Sequence, residues 1–165
     1  MLNAGVSWPK RMEIGFFTEQ VKVMDKRGNI KILDRNALDF EYRNSNLKEY
    51  IILSARFRLS KKKKEDIESA MQKFREHRFK TQETGGFTCG SIFKNPNAQS
   101  SGRLIDLCGL KGRRIGGAVI SNKHANFIIN QGNASAKDVL ALMRLAQDEV
   151  RKRFKVNLEP EIQVI

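Results

Sequence analysis

At 165 residues, 40% of them hydrophobic, the chain is long enough for one medium domain or two small lobes with a packed core. Its 31 Lys+Arg against 18 Asp+Glu leave a net charge of +13, which favours an anionic partner: nucleic acid, anionic lipid or a phosphorylated small molecule. Two cysteines (Cys89, Cys108) and two isolated histidines (His77, His124) make neither a disulfide framework nor a metal pattern, no apolar run approaches the ~20 residues of a membrane span, and residues 1–10 lack a signal-peptide core, so the expectation is a cytoplasmic protein without metal.

In chain order, the first strong pattern is a hairpin. Val21 and Val23 alternate with Lys22, residues 25–29 supply turn chemistry, and Ile30, Lys31 and Ile32 alternate again. Residues 36–40 read as a short helical turn. Residues 50–59 read as a strand, with Ile51, Leu53, Ala55, Phe57 and Leu59 on one face and Ser54, Arg56 and Arg58 on the other. Together these predict a small antiparallel sheet with one buried face. A helix follows over 63–79, its stripe formed by Ile67, Ala70, Met71 and Phe74. The run Lys61–Lys64 before it reads as solvated loop, because cations fit a helix N-terminus poorly.

The composition changes after Lys80, which sets the expected boundary between two lobes, 1–79 and 80–165. A glycine-rich strip comes first, then a short helix over 102–108 and strand-like runs over 114–121 and 126–130. A long helix is predicted over 136–154, with Ser135 as its N-cap, Asp138 near capping-box spacing, and Val139, Leu142, Met143, Ala146 and Val150 as its buried stripe. Residues 161–164 are expected to close the chain as a strand. The predicted class is α+β: a small antiparallel sheet plus helix, followed by a small α+β lobe.

The site-like segment is Thr84-Gly85-Gly86-Phe87-Thr88-Cys89 followed by Gly90-Ser91-Ile92-Phe93-Lys94-Asn95-Pro96, where glycines permit close backbone approach and a hydroxyl, an ammonium and a carboxamide follow within five positions. The glycines of 109–117 follow a helix and do not form a dinucleotide fingerprint, and there is no phosphate-binding loop of the G-x-x-x-x-G-K type. Nothing beside Cys89 suggests an activated thiolate. These rules leave a basic protein with one candidate site. They also leave open a nucleic-acid module using Lys61–Lys64, Arg75, Arg78, Lys80, Lys111, Arg113 and Arg114, although no aromatics interleave with those charges.

The strip 90–96 resembles the signature of the UDP-N-acetylenolpyruvoylglucosamine reductases. So do Ser101-Gly102-Arg103-Leu104-Ile105-Asp106, Gly109-Leu110-Lys111-Gly112, Arg114-Ile115-Gly116-Gly117-Ala118, Ser121, Lys123-His124-Ala125-Asn126-Phe127-Ile128, Asn130, Gly132 and Leu158-Glu159-Pro160-Glu161. Upstream, Tyr42-Arg43-Asn44-Ser45 and Asn3-Ala4-Gly5 match in order, whereas Val6-Ser7-Trp8-Pro9-Lys10 departs from the usual small and aromatic residues. The resemblance implies a flavoenzyme of cell-wall precursor synthesis that uses NADPH and FAD to reduce the enolpyruvyl ether of a UDP-sugar. By the same resemblance Ser91 is the proton donor, Arg43 faces the substrate carboxylate and Glu161 completes the catalytic set. Tyr42, Lys94, Asn95, Lys123 and His124 would hold the substrate, and Asn3, Ala4 and Gly5 the flavin. The family's pyrophosphate-binding loops lie ahead of the matched region. The chain is therefore expected to be incompetent without a separate FAD-binding half, and its sheet to present apolar surface. A non-catalytic partner subunit retaining the substrate lobe is the alternative.

Overall fold

The structure is a computed structural model that describes residues 5–6 and 12–163. It is α+β with antiparallel sheets, and it divides into two compact units, 1–70 and 71–165.

In the first unit, β1 (Gly5–Val6) pairs with β2 (Met12–Glu13). The main sheet has the order β4-β3-β7, from β3 (Thr18–Met24), β4 (Ile30–Asp34) and β7 (Ile51–Phe57). The predicted hairpin turn forms around Asp25, whose carboxylate accepts from the N–H groups of Arg27 at 2.8 Å and Asn29 at 2.9 Å. Val21 and Val23, on the central strand, are buried with Leu38 and Leu47, and Lys22 between them is exposed, as a period of two requires. The helical turn is a single 3-10 turn at Arg35–Ala37. After it, β5 (Phe40–Glu41) and β6 (Asn44–Ser45) form a tight hairpin.

One expectation fails on β7. The apolar face predicted to be buried is open: Ile51 is 57% exposed and Leu53 43%, and of that set Ala55 alone is half-buried. A bulge between Lys22 and Val23 also breaks the register opposite β7, so a strict alternation does not carry through the strand. Ile30 and Ile32, which pair with Met24 and Lys22, are exposed too, so this sheet does present apolar surface. The helix α1 (Lys64–Thr81) forms as predicted, yet its stripe is exposed: no residue of α1 is buried, Ile67, Met71 and Phe74 included. Periodicity marked the apolar face but could not establish that anything covers it. Glu65 and Asp66 in the first turn and Arg78 and Lys80 in the last complement the helix dipole.

In the second unit a four-stranded sheet has the order β8-β11-β10-β9, from β8 (Phe87–Ser91), β9 (Arg114–Ile115), β10 (Ala118–Ile120) and β11 (Phe127–Asn130). The run predicted as one strand over 114–121 is two, because Gly116, at φ +53°, turns the chain between Ile115 and Ala118. The helices α2 (Ser101–Leu107) and α3 (Ala136–Phe154) share one core with this sheet, built from Ile92, Ile105, Ile120, Leu142, Met143 and Val150 among others. The α3 stripe is buried as predicted at Leu142, Met143, Ala146 and Val150, each large aliphatic side chain contributing about 1.5–3 kcal/mol. Ser135 and Asp138 form a reciprocal capping box. Beyond α3 the expected strand at 161–164 is absent over the described residues 161–163. A single bridge joins Pro160 to Phe93, and Pro160, lacking an N–H, does not extend a ladder.

Candidate active site

The strip carrying Ser91 is shaped by a bulge. Ser91 pairs with Phe127 and Thr88 with Ile129, so β8 spends one residue more than β11 over the same span. The extra residue falls at Cys89-Gly90, and Gly90 takes φ +84°, which a side chain disfavours. The bulge redirects the chain at the last residue of β8, so Ser91 leaves the sheet edge half-buried.

Residues 92–94 then pair with the C-terminal segment. The Glu161 N–H donates to Ile92 O at 2.8 Å, and the Lys94 N–H to Glu159 O at 2.9 Å. The Lys94 ammonium also donates to the Glu159 carboxylate. Ser91, Lys94 and Glu161 are thus brought together by main-chain bonds, although most of the unit's sequence separates Ser91 from Glu161. Asn95, exposed, supports the start of α2: its Oδ1 accepts from the Ser101 N–H and hydroxyl, both at 3.0 Å.

Lys123 and His124 lie on the loop between β10 and β11. The Ser121 hydroxyl accepts from their N–H groups at 2.9 and 3.0 Å and donates to the Glu83 carboxylate. Lys123 donates to Phe79 O in the last turn of α1, with its ammonium 4.8 Å from the Phe79 ring centroid. His124 is half-buried, its ring 4.9 Å from that of Phe127 and so close to Gly102 that a Cβ there would lie 2.8 Å from it. Burial pushes the imidazole below the usual histidine range, and its Nδ1 accepts from the Asn126 N–H, so the neutral ring carries its proton on Nε2. In this structure both side chains hold the loop in place.

Tyr42 and Arg43 form the two-residue turn of the β5–β6 hairpin in the first unit. Arg43 is at φ +58° and its guanidinium lies 5.3 Å from the Tyr42 ring centroid. Gly5 pairs with Glu13, while Asn3 and Ala4 lie outside the described residues. Sequence reasoning gave no role to Asn126, Glu159, Ser101 or Ser121, although all four sit inside the motifs it quoted.

A family model described as "UDP-N-acetylenolpyruvoylglucosamine reductase, C-terminal domain" matches residues 81–165. The UDP-N-acetylenolpyruvoylglucosamine reductase of Halalkalibacterium halodurans is 40% identical over 99% of this chain and 54% of its own length. That of Chloroherpeton thalassium is 41% identical over 100% of this chain and 55% of its own length. The crystal structure of the corresponding reductase from Thermus caldophilus superposes with a TM-score of 0.83 at 38% identity, over 99% of this chain and 57% of that one. The chain therefore spans about half the length of the curated relatives it matches. With the family model covering more than half of its residues, the chain belongs to the UDP-N-acetylenolpyruvoylglucosamine reductase family.

Proposed function

We propose that this chain supplies the substrate-side machinery for reduction of the enolpyruvyl ether of UDP-N-acetylenolpyruvoylglucosamine, an oxidoreductase step of peptidoglycan precursor synthesis in the cytoplasm. The observation that supports the reading is the bond from the Glu161 N–H to Ile92 O, which ties the main chain of Glu161 to the residue after Ser91. Among the described residues no helix is long and apolar enough to cross a membrane and no cluster of His, Cys, Asp and Glu could hold a metal.

In this reading FAD bound by a further half, and reduced by NADPH, would supply the hydride. The described residues do not fit FAD by themselves: α1 is led by Lys61-Lys62-Lys63, α2 by Ser100 and α3 by Ser135, and none opens from a glycine-rich turn after a strand. A FAD-binding half outside the described residues, in the same or a separate polypeptide, completes the reading, with 1–79 on the flavin side and 80–165 holding the substrate. This chain's own residues deal with the carboxylate and the proton. Arg43 presents a permanent charge and fixed donors to the substrate carboxylate, where negative charge builds in an enolate-like intermediate. Ser91 donates its hydroxyl proton to the carbanionic carbon, a strong enough base to take it, and is reprotonated from solvent. Glu161 orients that transfer, and Tyr42, Lys94, Asn95, Lys123 and His124 contact the UDP-sugar, the last two after the loop contacts described above give way.

Titration of the labelled chain with the enolpyruvyl UDP-sugar, followed by amide chemical shifts, tests this. Perturbations centred on 91–95 and 159–161 are expected, and Ser91→Ala retains binding. Absence of binding at millimolar ligand, or tight and steeply salt-dependent binding to generic DNA in its place, overturns the reading.

A further inference from the structure

We infer that Asn126 is a positioning residue for the Ser91 strip: its buried carboxamide takes the place of a strand backbone and sets the direction in which the chain leaves β8. Asn126 is 3% exposed. Its Oδ1 accepts from the Phe93 N–H at 3.0 Å, and its Nδ2 donates to Phe93 O at 2.8 Å. Both ends of one amide are therefore committed to the main chain of one residue, as a neighbouring strand would be. The main chain of Asn126 joins in, its O accepting from the Ile92 N–H at 2.9 Å.

The need for such a group follows from the topology. The β8–β11 ladder ends at Ser91 and Phe127, directly after the Gly90 bulge. From Ile92 onward the strip turns to the C-terminal segment at Glu159 and Glu161. Phe93, 2% exposed, sits at this crossover, where its N–H and carbonyl would otherwise lack a ladder partner, and buried main-chain groups require one. The bulge precedes Ser91, and the Asn126 bonds to Ile92 and Phe93 follow it directly. Ser101 Oγ lies 3.4 Å from Phe93 O, but its one proton is better placed on Asn95 Oδ1 at 3.0 Å, so the Asn126 amide is the stronger partner of both Phe93 groups.

The role in catalysis rests on the reading of Ser91 given above, whereas the clamp itself does not. The test uses the full chain with Asn126→Asp, which is nearly isosteric. A protonated carboxyl can still donate to Phe93 O and accept from the Phe93 N–H, but an ionised one places negative charge against that carbonyl. The titratable groups beside this segment are His124, through its bond to the Asn126 N–H, and Lys94, Glu159 and Glu161, whose main chains flank Phe93, so the wild type is titrated in parallel. The expected result is that amide shifts of Ser91, Ile92, Phe93 and Glu161 are native-like in the variant at acid pH and displaced as its carboxyl ionises. At neutral pH their hydrogen exchange should quicken by about tenfold or more, the effect of losing two bonds, while Val119 and Ile129 keep their protection. Asn126→Ser should show the same local opening without the titration, and serves if the aspartate variant does not fold. Acceleration at the strip that only parallels Val119 and Ile129, or shifts there that do not titrate, would overturn the positioning role. Because exchange is read without ligand, failure here is distinct from failure of the chain to bind a UDP-sugar.

Discussion

Arg43 holds a backbone conformation that an arginine disfavours, which allows strain and function to be separated at one position. At φ +58° the left-handed region costs a residue with a Cβ about 1–2 kcal/mol, and glycine escapes that cost. Glycine loses about 0.5–1 kcal/mol through the greater freedom of the unfolded chain. Comparing Arg43→Gly with Arg43→Ala cancels the side-chain contacts, including that with Tyr42, since both variants lose them. The glycine variant should be the more stable by about 1 kcal/mol, or about 2–4 °C in Tm for a chain of this size, by urea and thermal unfolding. Both variants should bind the enolpyruvyl UDP-sugar more weakly than wild type, about tenfold to a hundredfold, the worth of a charge-assisted hydrogen bond. UDP-N-acetylglucosamine, which lacks the carboxylate, should bind all three proteins alike. If alanine at 43 proves as stable as glycine, the strain argument is wrong. If the variants do not discriminate between the two ligands, Arg43 does not meet the carboxylate.

Two further outcomes follow from the second unit. Gly90→Ala should cost about 1 kcal/mol, because its Cβ would meet open space and only the positive φ is penalised, whereas Gly116→Ala should cost clearly more in the same urea titration, since its Cβ would lie 2.5 Å from the Asp138 carboxylate. His124, held below its ordinary value of 6.5 mainly by burial, binds its proton less readily folded than unfolded, so stability should fall as pH drops from 6.5 through the lowered folded value. His124→Asn should flatten that slope between pH 7 and 5, and an unchanged slope would place the acid sensitivity elsewhere.

Elements whose determinants are local were readable from the residues alone. The α3 capping box needs only Ser135 and Asp138, and the 25–29 turn needs only Asp25 and its neighbours. Coverage was not readable: Ile51, Ile67 and Met71 have the right spacing for a buried face and nevertheless face solvent. A strand break at Gly116-Gly117 was hidden because glycine is compatible with both a strand and a turn. Within the candidate site, the residue types of the strip and of the C-terminal carboxylate were visible, but their meeting depends on Ile92 pairing with Glu161 across most of the unit. Asn126 was harder still, because an asparagine beside a strand looks like a loop residue until its partner, Phe93, is known.

The pairing of residues 92–94 with residues 159–161 has a consequence for the order of folding. Ser91, its bulge and the sheet edge beneath it form from residues nearer in sequence, whereas Glu161 reaches Ile92 only by closing most of the second unit. Long-range closures of this kind come late in folding, after the local helices and hairpins. Until that closure forms, the strip is held from the β11 side alone, by the β8–β11 ladder and the Asn126 carboxamide.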